Sequence, residues 1–265
     1  MLLVDSHVNL HSDKYEDDFA DVIARARDAG VAAMLTISDK LESTDALRQI
    51  CATQRNVWRS VGVHPHYAQG AKELQADRLI ALASEEDVIG IGECGLDFYY
   101  EYSERNDQGP VFEAHIEASQ RTQLPLIIHT RDADDQMASL IKARHAEREF
   151  TPLLHCYTGG KALAQTALDR GGFIYFYGII TIKKADDIRE IAAWAPLDRI
   201  IVETDCPYLA PTPKRGRRNE PSFLPYVVSR LAEVRDESVD RIARVVTDNF
   251  FQLFAKAQRP SEFES

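Results

Sequence analysis

The sequence predicts a single-domain (β/α)8 barrel, and three observations carry that reading. Short apolar runs recur at intervals of roughly 25 to 35 residues, and amphipathic stretches lie between them. Several runs are continuous rather than alternating, as strands buried on both faces require. Most of them stop at a histidine, aspartate or glutamate, which is where a barrel keeps its chemistry. A doubly wound open sheet is the competing arrangement, but no glycine-rich phosphate loop follows the first run. At 265 residues the chain has the length of one barrel, and no repeat, linker or low-complexity segment divides it.

The first run covers 2–4. Phe19, Val22, Ile23 and Ala26 follow at helical spacing, and Gly30 stands where a helix C-terminal glycine belongs. Further strands are expected at 33–37, 58–63, 88–92, 126–128, 153–154, 173–177 and 200–202. The helical candidates between them are 42–55, 72–85, 104–122, 133–146, 160–170 and 185–195, with 222–234 and 238–256 after the last strand.

Composition narrows the function. With 45% hydrophobic and 28% charged residues the chain reads as a soluble globular protein. There is no apolar run long enough for a membrane span, so no membrane partner is expected. The N-terminal residues show no basic segment ahead of an apolar one, so no secretory signal is expected. Cys51, Cys94, Cys156 and Cys206 have no paired spacing, which suits reduced thiols and a cytoplasmic location. A monomer is the expected state. The net charge of −11 argues against coating nucleic acid through a broad basic face. It leaves room for an enzyme whose metal ions supply positive charge locally. The run Lys214-Arg215-Gly216-Arg217-Arg218 stands out, although such a run taken alone is more often a solvated loop.

The ionisable residues carry the chemistry. Asp5-Ser6-His7-Val8-Asn9 follows the first run and His64-Pro65-His66 ends the third. Glu93, His129, His155 and Asp205 end the fourth, fifth, sixth and eighth. One histidine at a strand end is usually structural. Repeated around a rim, such residues converge, and several carboxylates and imidazoles in one poorly solvated pocket are costly unless divalent cations compensate them. A nucleophilic triad is the weaker reading: there is no G-x-S-x-G elbow and no cysteine in an activating setting. Cys94, Cys156 and Cys206 each follow a proposed ligand, so alternation turns them toward the helix layer as small buried hydrophobes. Glu203 shares the face of Asp205, either orienting ligands or as a paired interior charge.

At these residues the chain resembles the TatD family of metal-dependent deoxyribonucleases. The matching motifs are Val8-Asn9-Leu10, Gly62-Val63-His64-Pro65-His66, Gly92-Glu93-Cys94-Gly95-Leu96-Asp97, His129-Thr130-Arg131-Asp132-Ala133, His155-Cys156-Tyr157-Thr158-Gly159, Glu203-Thr204-Asp205-Cys206-Pro207-Tyr208-Leu209 and Arg218-Asn219-Glu220-Pro221. The resemblance implies a barrel with two divalent metal ions, Mg²⁺ or Mn²⁺ with Zn²⁺ as the alternative. It implies 3′-to-5′ exonuclease action on single-stranded DNA, with RNA as a further substrate. By the same likeness Glu93 bridges the metals, His129 and His155 hold one, and His7 and Asp205 hold the other. Asp205 activates water and His64 meets the scissile phosphate. His66, Arg131, Arg217, Arg218 and Asn219 are the substrate-binding candidates. Asn9 stands where many relatives carry the second histidine of a His-x-His pair. A metal-dependent amidohydrolase or lactonase on a small substrate is the alternative enzyme, and a catalytically inactive binding barrel is the alternative outside enzymes.

Overall fold

The computed structural model describes residues 2–100 and 102–263, and the fold is a (β/α)8 barrel whose parallel strands follow one another in chain order. They are β1 (Leu3–Val8), β2 (Val31–Thr36), β3 (Val57–Val61), β4 (Val88–Asp97), β5 (Leu126–Arg131), β6 (Pro152–Leu154), β7 (Phe173–Phe176) and β8 (Ile200–Val202). The helices are α1 (Phe19–Asp28), α2 (Thr44–Thr53), α3 (Ala76–Ala83), α4 (Arg105–Thr122), α5 (Asp134–Glu147), α6 (Lys161–Leu168), α7 (Asp186–Trp194), α8 (Leu224–Arg235) and α9 (Val239–Leu253).

Three strands outrun their apolar signal. β1 continues to Val8, β4 to Asp97 and β5 to Arg131, so His7, Glu93 and His129 lie within strands rather than just past them. Hydrophobic pattern stops where the side chains turn polar, but ladder pairing does not: Leu96 still pairs with Thr130 and Asp97 with Arg131. The expected helix at 72–85 shrinks to α3, preceded by a 3-10 turn over Pro65–Ala71.

Packing groups the chain into two compact units. One comprises Met1–Thr36, Gln49–Trp58 and Tyr175–Ser265. There β1 pairs with β2, and the chain beyond β8 is tied to β1 by Asp205 N–H donating to His7 O (3.1 Å) and Asn9 N–H donating to Cys206 O (2.9 Å). α9 shows how sequence makes this unit. Ile242, Val246, Phe250 and Leu253 recur at helical spacing and are all buried, and the Ser238 hydroxyl caps the helix by accepting from Arg241 N–H.

The other unit comprises Ile37–Arg48 and Arg59–Ile174 and holds the ladder from β4 through β6. β4 is buried along its whole length. Its approach to its neighbours needs glycine: a Cβ on Gly62 would meet the Gly92 carbonyl carbon at 2.5 Å, and one on Gly95 (φ 141°) would meet His129 O at 2.0 Å. On β3, the fully buried Arg59 guanidinium lies between Glu85 (2.6 Å) and Asp87 (2.8 Å), and Arg48 also binds Glu85 (2.8 Å). Cys94 and Cys206 are buried as expected. Cys156 is only half-buried, because β6 ends at Leu154 and Cys156 takes left-handed backbone (φ 46°), where strand alternation no longer applies.

Candidate metal centre

In the unit containing β4, the geometry converges on one oxygen. Glu93 Oε1 lies 3.0 Å from His155 Nε2, 3.1 Å from His129 Nδ1 and 3.3 Å from His64 Nε2. Burial pushes a carboxyl group up, but the facing His155 and His64 rings and the hydrogen bonds from His129 and His155 outweigh it, holding Glu93 well below the usual range. Burial lowers His129 in turn, and its bonds to Asp97 and Glu93 more than restore it, so its net shift is upward. Backbone bonds hold this geometry: Glu93 N–H donates to Ser38 O (3.1 Å), His64 N–H to Asp39 O (2.8 Å) and His155 N–H to Ile128 O (3.0 Å).

His64 is neutral, pushed down to about 4 by burial. Its Nδ1 accepts from His66 N–H (3.1 Å), which leaves the ring proton on Nε2, the nitrogen facing Glu93. His129 has both nitrogens against carboxylates, Nδ1 on Glu93 and Nε2 on Asp97 Oδ2 (3.0 Å). A neutral imidazole has one N–H, so one of these contacts has room for a second proton or for a cation. That donor set suits a divalent metal at Nδ1, with Nε2–H donating to Asp97.

In the other unit, His7 stands between two carboxylates, with Nδ1 3.6 Å from Glu203 Oε2 and Nε2 3.7 Å from Asp205 Oδ1. Asp205 takes left-handed backbone (φ 55°), a costly conformation for an aspartate that the flanking bonds His7 O to Asp205 N–H and Asp205 O to Tyr208 N–H hold in place. Below them Asp5 is fully buried. It accepts from Thr204 N–H (2.9 Å) and from the Thr204 hydroxyl (2.6 Å), and burial pushes it up to about 8 despite those bonds. The Asn9 carboxamide donates to Cys206 O (3.3 Å).

The substrate-binding candidates divide. Arg217 is exposed. Arg218 grips Asp18 through two nitrogens (2.8 and 2.6 Å), donates to Lys14 O (2.6 Å) and covers the Tyr15 ring. Asn219 is fully buried, its amide donating to Thr204 O and Tyr208 O, so it braces the loop after β8 from inside. His66 Nε2 contacts Asp97 Oδ2 (2.8 Å), and Arg131 lies over the ring of Tyr99 (4.0 Å).

Sequence reasoning passed over Asp97 and Asp5 as site residues. Asp97 takes contacts from His66 and His129 on Oδ2 and the N–H groups of Tyr99 and Tyr100 on Oδ1, while Gln108 brackets its backbone. Burial raises its carboxyl, and the His129 and His66 bonds reverse that strongly. Period two on a strand points to both: Glu93 and Asp97 share a face, as do Asp5 and His7.

His115 on α4 was also missed. Its Nε2 accepts from Val63 N–H (2.9 Å) and its Nδ1 donates to Val111 O (2.7 Å), fixing the backbone next to His64. Burial pushes it down to about 4. Below the unfolded value, near 6.5, the unfolded chain therefore takes up a proton that the native ring refuses, and stability falls as pH drops toward 4. Relative to His115→Gln, the wild type is expected to lose about 2 kcal/mol more between about pH 7 and pH 5 in denaturant titrations. Parallel losses in the two proteins would exclude His115 as the cause.

Comparison with known proteins bears on the family and the fold. The family model described as TatD related DNase matches residues 4–255. An uncharacterized metal-dependent hydrolase, YcfH of Escherichia coli K12, is 37% identical over 257 residues, covering 96% of each chain. The 3′-5′ ssDNA/RNA exonuclease TatD of Salmonella typhimurium is 34% identical over 257 residues, covering 95% of this chain and 98% of its own. The crystal structure of YJJV, a TatD homolog from Escherichia coli K12, superposes with a TM-score of 0.84 at 24% identity, covering 96% of this chain and 98% of that one.

Proposed function

Because the chain belongs to the TatD related DNase family of metal-dependent hydrolases, we propose that it removes nucleotides from the 3′ end of single-stranded DNA, and of RNA as a second substrate. The observation that carries the reading is the convergence of three imidazoles on one buried Glu93 oxygen. A relative whose name states 3′-5′ exonuclease activity on ssDNA and RNA supports the substrate class.

In this reading Glu93, His129 and His155 would hold one divalent ion, Mg²⁺ or Mn²⁺, and His7 and Asp205 would hold a second. Zn²⁺ is the alternative. Such ions would lower the pKa of water and offset developing negative charge, much of the 15 to 20 kcal/mol or so that phosphodiester hydrolysis demands. The protein does the rest. Asp205 takes the proton of the attacking water. Neutral His64 turns its Nε2–H from Glu93 to a phosphate oxygen, donating without a charge that would pair with the carboxylates. Asp97 holds His129 and His66 by their Nε2 atoms, so the rings meet their ligands in fixed orientation. His66 and Arg131 contact the strand near the scissile bond, and Asn219 acts from behind by fixing the loop. The protein works in the cytoplasm as a monomer, and none of its described helices is long and apolar enough to cross a membrane.

The test is an end-labelled single strand incubated with each metal. Mononucleotides released progressively from the 3′ terminus are expected. Hydrolysis of a lactone or amide with no loss of the strand would favour the amidohydrolase alternative.

The basic loop gives a sharper expectation. Arg217→Ala should raise KM and flatten the salt dependence with kcat kept, because the side chain is exposed and reaches outlying phosphates. Arg218→Ala should instead lower the melting temperature, since its guanidinium serves Asp18 and Lys14 O. A salt slope unchanged in Arg217→Ala would return that residue to a solvated role.

A further inference from the structure

We propose that a groove starting at His66 carries the unstacked bases of the bound strand on tyrosine rings, an inference that rests on the nuclease reading above. The groove encloses 1110 Å³, and its walls include Lys40, His66, Tyr67, Lys72, Arg78 and Tyr102. That exceeds the roughly 300–1,000 Å³ of ordinary small-molecule sites, so it suits a ligand longer than one nucleotide.

The rings are exposed and held. Tyr102 is 63% exposed, its ring 4.8 Å from His66 and stacked on Tyr100 at 5.4 Å and 20°. Tyr67 is 46% exposed, with the Lys40 ammonium 5.2 Å over its ring. Leaving several aromatic faces in water opposes the hydrophobic effect, and such patches mark binding surfaces. Polar tethers fix the backbone around them. Asp97 Oδ1 accepts from Tyr99 and Tyr100 N–H, and the Ser103 hydroxyl donates to His66 O (2.8 Å) while accepting from Gln69 N–H (3.1 Å). The other oxygen of Asp97 holds His66 and His129, so one carboxylate joins the backbone of Tyr99 and Tyr100 to the imidazoles.

The charges choose the occupant. Lys40, Lys72 and Arg78 share the lining with Glu42 and Glu73, and Lys72 is tied to Asp107 (2.8 Å). Near cancellation makes the groove a poor phosphate clamp, and what remains is π surface. A single strand offers free base faces to it, whereas a duplex keeps its bases stacked inside. Base–aromatic stacking is worth about 1–3 kcal/mol per base and tolerates any sequence.

Binding is measured by anisotropy with Mg²⁺ in a Glu93→Ala background, so that the strand stays intact. The probes are a labelled oligomer of about 12 thymidines, an abasic chain of the same length and a duplex. The thymidine strand is expected to bind at least fivefold or so more tightly than the abasic chain. Tyr102→Ala and Tyr67→Ala should each erase about fivefold or more of that preference without changing abasic binding, and Tyr102→Phe should keep it. Equal affinity for the two single strands, tighter binding of duplex, or alanine variants that bind like the parent would each overturn the proposal. If wild-type protein shortens the strand while those variants bind normally, the groove fails and the nuclease reading stands. Base preference in a protein that never shortens the strand gives the reverse.

Discussion

Glu93→Ala is expected to cut phosphodiester hydrolysis at least about 10³-fold, the largest effect of any single substitution in this chain. The carboxylate is buried on the central reach of β4 and has an imidazole within 3.3 Å from each of His64, His129 and His155. With it gone, the His64, His129 and His155 rings lose the carboxylate oxygen they share, and the proposed metal centre loses the ligand on which it converges. Part of the metal-free stability goes too. A carboxyl held far below its unfolded value contributes stability above that value, so at neutral pH the variant should melt earlier while staying folded by circular dichroism. Glu93→Gln keeps the shape without the charge and should be nearly as inactive. Turnover near normal in a folded variant would end the bridging role.

Asp87→Ala is expected to destabilise the protein by about 3 kcal/mol, the largest effect outside the site. It strips the fully buried Arg59 guanidinium of the partner at 2.8 Å and leaves Glu85 to serve both Arg59 and Arg48. The charge stranded by Asp87→Ala is fully buried, whereas Arg59→Met leaves Glu85 and Asp87 without that cation but 30% and 28% exposed, where water can solvate them. Arg59→Met should therefore cost clearly less than Asp87→Ala in denaturant midpoints. The opposite order would mean that the arginine acts through packing rather than charge.

Barrel class and strand order were legible because buried parallel strands are apolar on both faces and the ionisable residues interrupt them at one end. His7, Glu93, His129, His155 and Asp205 were picked out in that way. Asp97 was hidden by the same criterion: beyond residue 92 β4 carries Glu93, Gly95 and Asp97 on one face, so hydrophobicity falls while pairing continues. The basic loop shows a second limit. Local sequence presents Arg217 and Arg218 as equals, but Arg218 is claimed by Asp18, 200 positions away. Likewise nothing around Phe98-Tyr99-Tyr100 announces that the His66 ring lies beside Tyr100 and Tyr102.

The bare backbone contacts at Gly62 and Gly95 make this scaffold unevenly evolvable. Groove-lining side chains such as Tyr67, Arg78 and Tyr102 can be exchanged one at a time, since each exchange alters a side chain facing a cavity. An alanine in the floor forces β3 from β4, or β4 from β5, and so shifts together the donors that those strands carry. A library seeking new chemistry here gains by randomising the rim and keeping the glycines, and its survivors should record that boundary as a row of untouched positions beneath a variable surface.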